Sequence, residues 1–154
     1  MTLGRVSDSD YVDPMSWDVF IMRFPPEAES IDQIADDWNP PSLGTGREIR
    51  AVLTALLAGI EYTTSGWGDY EGPGFSISTP INEADDESVS GVSLFIHGDS
   101  DAAAHAALAL ADALGARAFE TGSGDFLTAE SAHSAFDTWR AYRDRVLAQH
   151  KDHR

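Results

Sequence analysis

Residues 65–78, SGWGDYEGPGFSIS, put four glycines, a proline, two aromatic residues and two acids directly before an alternating apolar run. Gly66, Gly68, Gly72 and Gly74 supply backbone angles that other residues avoid, so 65–74 reads as a shaped connector. A strand follows, carried by Phe75, Ile77 and Thr79 and ended by Pro80. This reading sets the number of strands, and the rest of the chain is placed around it.

Upstream, Thr45 and Glu48 have the spacing of a capping box. Ile49, Val52, Leu53, Leu56 and Leu57 then recur at i, i+3, i+4, i+7 and i+8, which predicts an amphipathic helix closed by Gly59. Further back, SWDVFIMRF at 16–24 alternates Trp17, Val19 and Ile21 with polar positions and stops at Pro25-Pro26, the pattern of a strand. Between them, 27–44 is an acidic, proline-containing connection. Its Ile31, Ile34 and Trp38 fit one or two helical turns before Pro40-Pro41.

Downstream, INEADDE at 81–87 reads as a polar hairpin tip. In SVSGVSLFIHG at 88–98, Val92, Leu94 and Ile96 face inward and Phe95 faces the other way. Asp99 or Ser100 caps an alanine-rich helix stopped by Gly115. ARAFET forms a strand, GSGD a turn, and 129–149 a last helix with Phe136, Trp139, Val146 and Leu147 on one stripe. The order predicts an α+β fold, a ferredoxin-like β-α-β-β-α-β sandwich with an added C-terminal helix that covers the open sheet face or packs at the sheet edge. Residues 1–14 are expected to form a flexible leader and 15–150 a single α+β domain.

Composition narrows the function. Twenty-six acids against ten bases give a formal net charge of −16, and 51–116 contains no Lys or Arg. Such a surface repels phosphate backbones and anionic lipid, so neither nucleic acid nor a membrane is an expected partner, whereas a basic protein is. The absence of cysteine removes disulfides, a thiol nucleophile and thiolate metal sites, and suits a reducing cytoplasm. No G-x-S-x-G elbow, phosphate loop or dinucleotide fingerprint occurs, and no cofactor is expected.

Three sets of residues carry the candidate sites. Trp67, Asp69, Tyr70 and Glu71 combine aromatic rings with carboxylates in the connector, a composition suited to a cation or a protein surface. Glu83, Asp85, Asp86 and Glu87 form an acidic cluster that reads first as a solvated tip and, with the connector, as part of a binding face. His97, Asp99 and Asp101 alternate before the alanine-rich helix as weak metal candidates, although the two acids equally suit the first turn of a helix.

The segments SWDVFIMRF, WGDYEGPGFSIS, GVSLFIHG and GSGDFL resemble a group of small uncharacterised bacterial proteins that open with Met-Ser-Trp-Asp-Val, here from Met15. The resemblance covers about residues 15–130 and implies a bacterial single domain without assigning an activity. The functional expectation is a non-catalytic protein-binding domain, immunity- or antitoxin-like, that neutralises a basic partner through its acidic surface. The alternatives are a small-ligand binder or enzyme using the sheet face and the 65–75 loop, and a housekeeping domain whose homodimer interface lies on the sheet or last helix.

Overall fold

The computed structural model describes residues 16–152, with side chains described through residue 149. The 1–14 leader lies outside the described residues. The fold is mixed α+β. Strands β1 (Trp17–Met22), β2 (Gly44–Thr45), β3 (Glu61–Tyr62), β4 (Trp67–Gly72), β5 (Phe75–Pro80), β6 (Ser88–Val89), β7 (Val92–Gly98), β8 (Arg117–Glu120) and β9 (Asp125–Phe126) alternate with helices α1 (Gly46–Leu56), α2 (Ala102–Ala113) and α3 (Ala132–Asp152).

Seven of the strands form one antiparallel sheet in the order β3-β4-β5-β7-β1-β8-β9, while β2 and β6 pair separately. This corrects the four-stranded ferredoxin-like expectation. The four expected strands are present and adjacent as β5-β7-β1-β8, but β3 and β4 extend the sheet on one side and β9 on the other. The longest added strand comes from the connector over 65–74, since Trp67–Gly72 pairs residue by residue with Phe75–Pro80 as a hairpin. Its glycines mark close approach: a Cβ on Gly68 would lie 3.0 Å from Ile60 Cδ1 and 3.3 Å from Thr79 Cγ2. A strand near the sheet edge has no need of continuous apolar alternation, and a glycine whose missing side chain makes room for a neighbour looks locally like a turn.

Alternation on the central strands builds the core. Trp17, Val19 and Ile21 of β1, Val92, Leu94 and Ile96 of β7, and Phe75 and Ile77 of β5 are buried against Ile49 and Leu53 of α1 and Ala103, Ala104, Ala107 and Leu110 of α2. The small alanine side chains let α2 lie close to the sheet, where it contacts β5, β7, β1 and β8. Helix α3 joins the same side: Phe136 meets Trp17 edge-on at 5.1 Å and Trp139 stacks on Phe136 at 5.5 Å. It therefore does not cover the open face, because its aromatic stripe joins the main core beside α2.

Two local features match the sequence closely. The Thr45 hydroxyl accepts the Glu48 N–H at 3.3 Å and the Glu48 carboxylate accepts the Thr45 N–H at 2.8 Å, closing the capping box. The 27–44 connection holds a single 3-10 turn at Ile31–Gln33, after which Ile34 and Trp38 join Phe24, Ala28, Met22, Phe119 and Phe126 in a second, smaller core. Trp38 stacks on Phe24 at 5.6 Å. Because Phe119 and Phe126 lie on the face of β8 and β9 opposite the helices, this connection covers one end of the otherwise open sheet face.

Candidate functional site: the open sheet face

The open face is defined by the positions that alternate with the core. On β4 these are Trp67, Asp69 and Glu71, all exposed, whereas Gly68 is buried and Tyr70 packs against the main core with its ring 5.7 Å from Phe75. Strand periodicity thus separates Trp67 and Tyr70, which the sequence placed together in one loop. Trp67 lies 6.1 Å from Phe95, the outward-facing aromatic of β7, and is 37% exposed.

Register arranges polar groups around this pair. Asp69 stands opposite Ser78, Ser78 opposite Phe95, and Phe95 opposite Asp18, so one row crosses four strands with a carboxylate at each end. Glu61 of β3 continues that row beyond Asp69. A second row places Glu71 opposite Ser76 and Ser76 opposite His97. The Ser78 hydroxyl donates to the Asp69 carboxylate at 3.1 Å, fixing that side chain upright on the sheet. β3, β4, β5 and β7 contain no Lys or Arg. Arg117, which faces the same way on β8, is held by the Pro25 and Ala28 carbonyls at 2.7 and 2.8 Å, with its guanidinium 3.8 Å from the centre of the Phe126 ring. The face therefore presents an aromatic centre edged with negative charge.

The 83–87 acids do another job. Asp85 pairs with Arg50 at 2.7 Å and Arg47 at 3.4 Å, and the hydrogen bond from Arg50, reinforced by Arg47, holds its carboxyl below the usual value. Arg50 also donates to the Glu83 carbonyl, while the Glu87 carboxylate accepts the Ala84 N–H at 2.6 Å. Gly46 and Arg47 donate their backbone N–H groups to the Glu87 and Asp85 carbonyls. The segment is thus no simple hairpin tip. It is tied to the first turn of α1 and leads into the β2–β6 ribbon, and of its four acids Asp86 is exposed with no role in these contacts.

The metal candidates do not converge. His97 faces outward from β7, Asp99 is engaged by Arg143, and Asp101 lies 3.6 Å from Arg140 and 3.9 Å from His133 Nδ1. Among the described residues no group of three His, Asp or Glu side chains is placed to hold a metal ion.

One functional candidate escaped the sequence reading. A cavity of about 1200 Å³ opens between the β1, β8 and β9 ends and α3, and Glu120, only 4% exposed, stands in its wall. None of Trp67, Tyr70 or His97 lines it. The available signal was an acid two residues after Ala118, at an inward position of the strand 116–121. Comparison with protein-family models finds no match to this chain, and comparison with curated proteins finds none either.

Proposed function

We propose that this chain is a non-catalytic binding protein of the immunity or antitoxin kind, whose open sheet face takes a basic protein partner. The observation that carries the reading is the Trp67–Phe95 pair, exposed at Trp67 and half-buried at Phe95, edged by Asp69, Glu71 and Glu61 on strands lacking any Lys or Arg. An aromatic centre desolvated on binding supplies affinity, and the surrounding carboxylates steer a cationic surface onto it. Trp67, Phe95, Asp69, Glu71 and Glu61 all lie outside the large cavity, which supports a surface offered to a partner over a chamber for a small substrate. No helix among the described residues is long and apolar enough to cross a membrane, and the net charge of −16 opposes nucleic acid.

The test is titration of the ¹⁵N-labelled chain with an arginine-rich peptide. Shift changes are expected to concentrate at the Trp67 indole and at the amides of Asp69, Glu71 and Phe95. Trp67→Ala should weaken binding by about tenfold, the scale of a central aromatic anchor. The double change Asp69→Asn, Glu71→Gln should flatten the salt dependence. Shifts spread evenly over the surface, or an equal loss from Asp112→Asn with Glu130→Gln on the helical side, would sink the assignment.

A further inference from the structure

The cavity beside α3 has a chemistry of its own. Its walls bring together Trp17 at the start of β1, Glu120 at the end of β8, Ser123 and Asp125 of the following turn, and Trp139 and Tyr142 of α3. Glu120 is anchored by neutral donors: the Trp17 indole N–H donates to Oε2 at 2.8 Å and the Ser123 hydroxyl donates to Oε1. No Arg, Lys or His reaches this carboxylate among the described residues, although buried carboxylates in folded proteins are usually matched by a positive group. A carboxylate offers about four lone-pair sites, so two donors leave acceptor capacity at the cavity wall.

Acids outnumber bases among the other charges lining the cavity. Asp18, Glu29 and Asp125 join Glu120, against Arg117 and Arg145. Arg117 is committed to the Pro25 and Ala28 carbonyls and to the Phe126 ring. Among the aromatic residues of the wall Tyr142 is exposed and offers flat apolar surface that attracts positive charge, whereas Phe126 already carries the Arg117 guanidinium and Trp139 that of Arg143. A single buried carboxylate with hydroxyl and aromatic neighbours is a poor metal site, since divalent ions ask for several charged or imidazole ligands.

The geometry points to a binding site for a small organic cation, an amidinium, guanidinium or primary ammonium carried on a flat apolar group. Its positive head pairs with Glu120 and its body lies against Tyr142. The cavity, at about 1200 Å³, has ample room for such a molecule. The site shares Asp18 with the end of the open-face row but none of Trp67, Phe95, Asp69 and Glu71, so Trp67→Ala should leave it untouched.

Benzamidine and its neutral isostere benzamide separate charge recognition from simple aromatic filling. The readout is the Trp17 indole N–H resonance, which sits on the Glu120 carboxylate. Benzamidine should shift it saturably with a dissociation constant on the order of 1 mM, usual for a fragment of that size. Benzamide should bind at least about tenfold more weakly, one tenfold step being about 1.4 kcal/mol. Glu120→Gln keeps one acceptor oxygen for the Trp17 indole and turns an NH2 toward the Ser123 hydroxyl, which can rotate to accept, while removing the charge, and should lose benzamidine binding by about tenfold. Equal binding of the two probes, undiminished benzamidine binding by folded Glu120→Gln, or no shift in the wild-type chain at tens of millimolar benzamidine would each overturn the assignment. Should Glu120→Gln fail to fold, Tyr142→Ala decides, its side chain being 48% exposed. A severalfold loss of benzamidine affinity supports the site, and unchanged affinity rejects it.

Discussion

Truncating Phe136 to alanine tests whether α3 is part of the fold or an ornament on it. The ring is fully buried, 5.1 Å from Trp17 and 5.5 Å from Trp139, with the Arg140 guanidinium 5.0 Å from its centre. Phe to Ala at a closed core position costs about 3–5 kcal/mol, a range that already includes the cavity left behind. Since Trp17 is anchored on the sheet and Trp139 on the same helix, neither ring can close the gap without moving a backbone, and ~4 kcal/mol is the expected loss. For a chain of this size each kcal/mol moves Tm by roughly 2–4 °C, so the melting point should fall by about 8–16 °C. Urea unfolding followed by circular dichroism and by calorimetry gives the two numbers independently, and an unchanged m-value shows that the same surface is exposed on unfolding. Tyr142→Ala, two turns along the helix at an exposed position, should change stability by less than about 0.5 kcal/mol. A Tm drop under about 3 °C for Phe136→Ala, or a drop no larger than that of Tyr142→Ala, would mean that α3 is not held by its aromatic contact with β1.

Two further outcomes follow from local geometry. At Gly98, with φ +122°, an added Cβ would stand 2.4 Å from the Gly74 carbonyl oxygen and 2.6 Å from Phe75 Cα, so Gly98→Ala should cost about 3 kcal/mol or more in a urea titration. Gly59→Ala, at φ +90° in open space, should cost only about 1–2 kcal/mol of backbone strain, and equal losses at the two sites would refute the steric account. Asp85, held below its usual value of 3.8 by Arg50 and Arg47, contributes stability that is present above that pH and drains away as pH falls through the lower folded value. The difference in urea midpoint between wild type and Asp85→Asn should therefore be largest near neutrality and vanish in acid. A difference that grows on acidification contradicts the pairing.

The chain announces its central elements because their signals are local. Trp17, Val19 and Ile21, or Val92, Leu94 and Ile96, must alternate to bury one face, and Thr45 with Glu48 closes a helix cap within four residues. The same logic correctly turns Phe95 away from the core. It fails at 65–74, where a strand next to the edge strand is half exposed and places Gly68 and Gly72 at inward positions, so that its only inward apolar side chain is Tyr70.

What the sequence by itself determined is the alternation of the central strands, the amphipathic α1, the negative charge and the lack of cysteine or catalytic signature. All of these are properties of neighbouring residues or of composition. Only tertiary structure decided that WGDYEG is a strand, that Trp67 faces Phe95 while Tyr70 turns to the core, and that Asp85 is spent on Arg50 and Arg47. It also decided that Glu120 meets Trp17 across 103 positions of chain. Edge strands, ion pairs and cavity walls depend on partners distant in sequence, and no local propensity or spacing encodes which partner arrives.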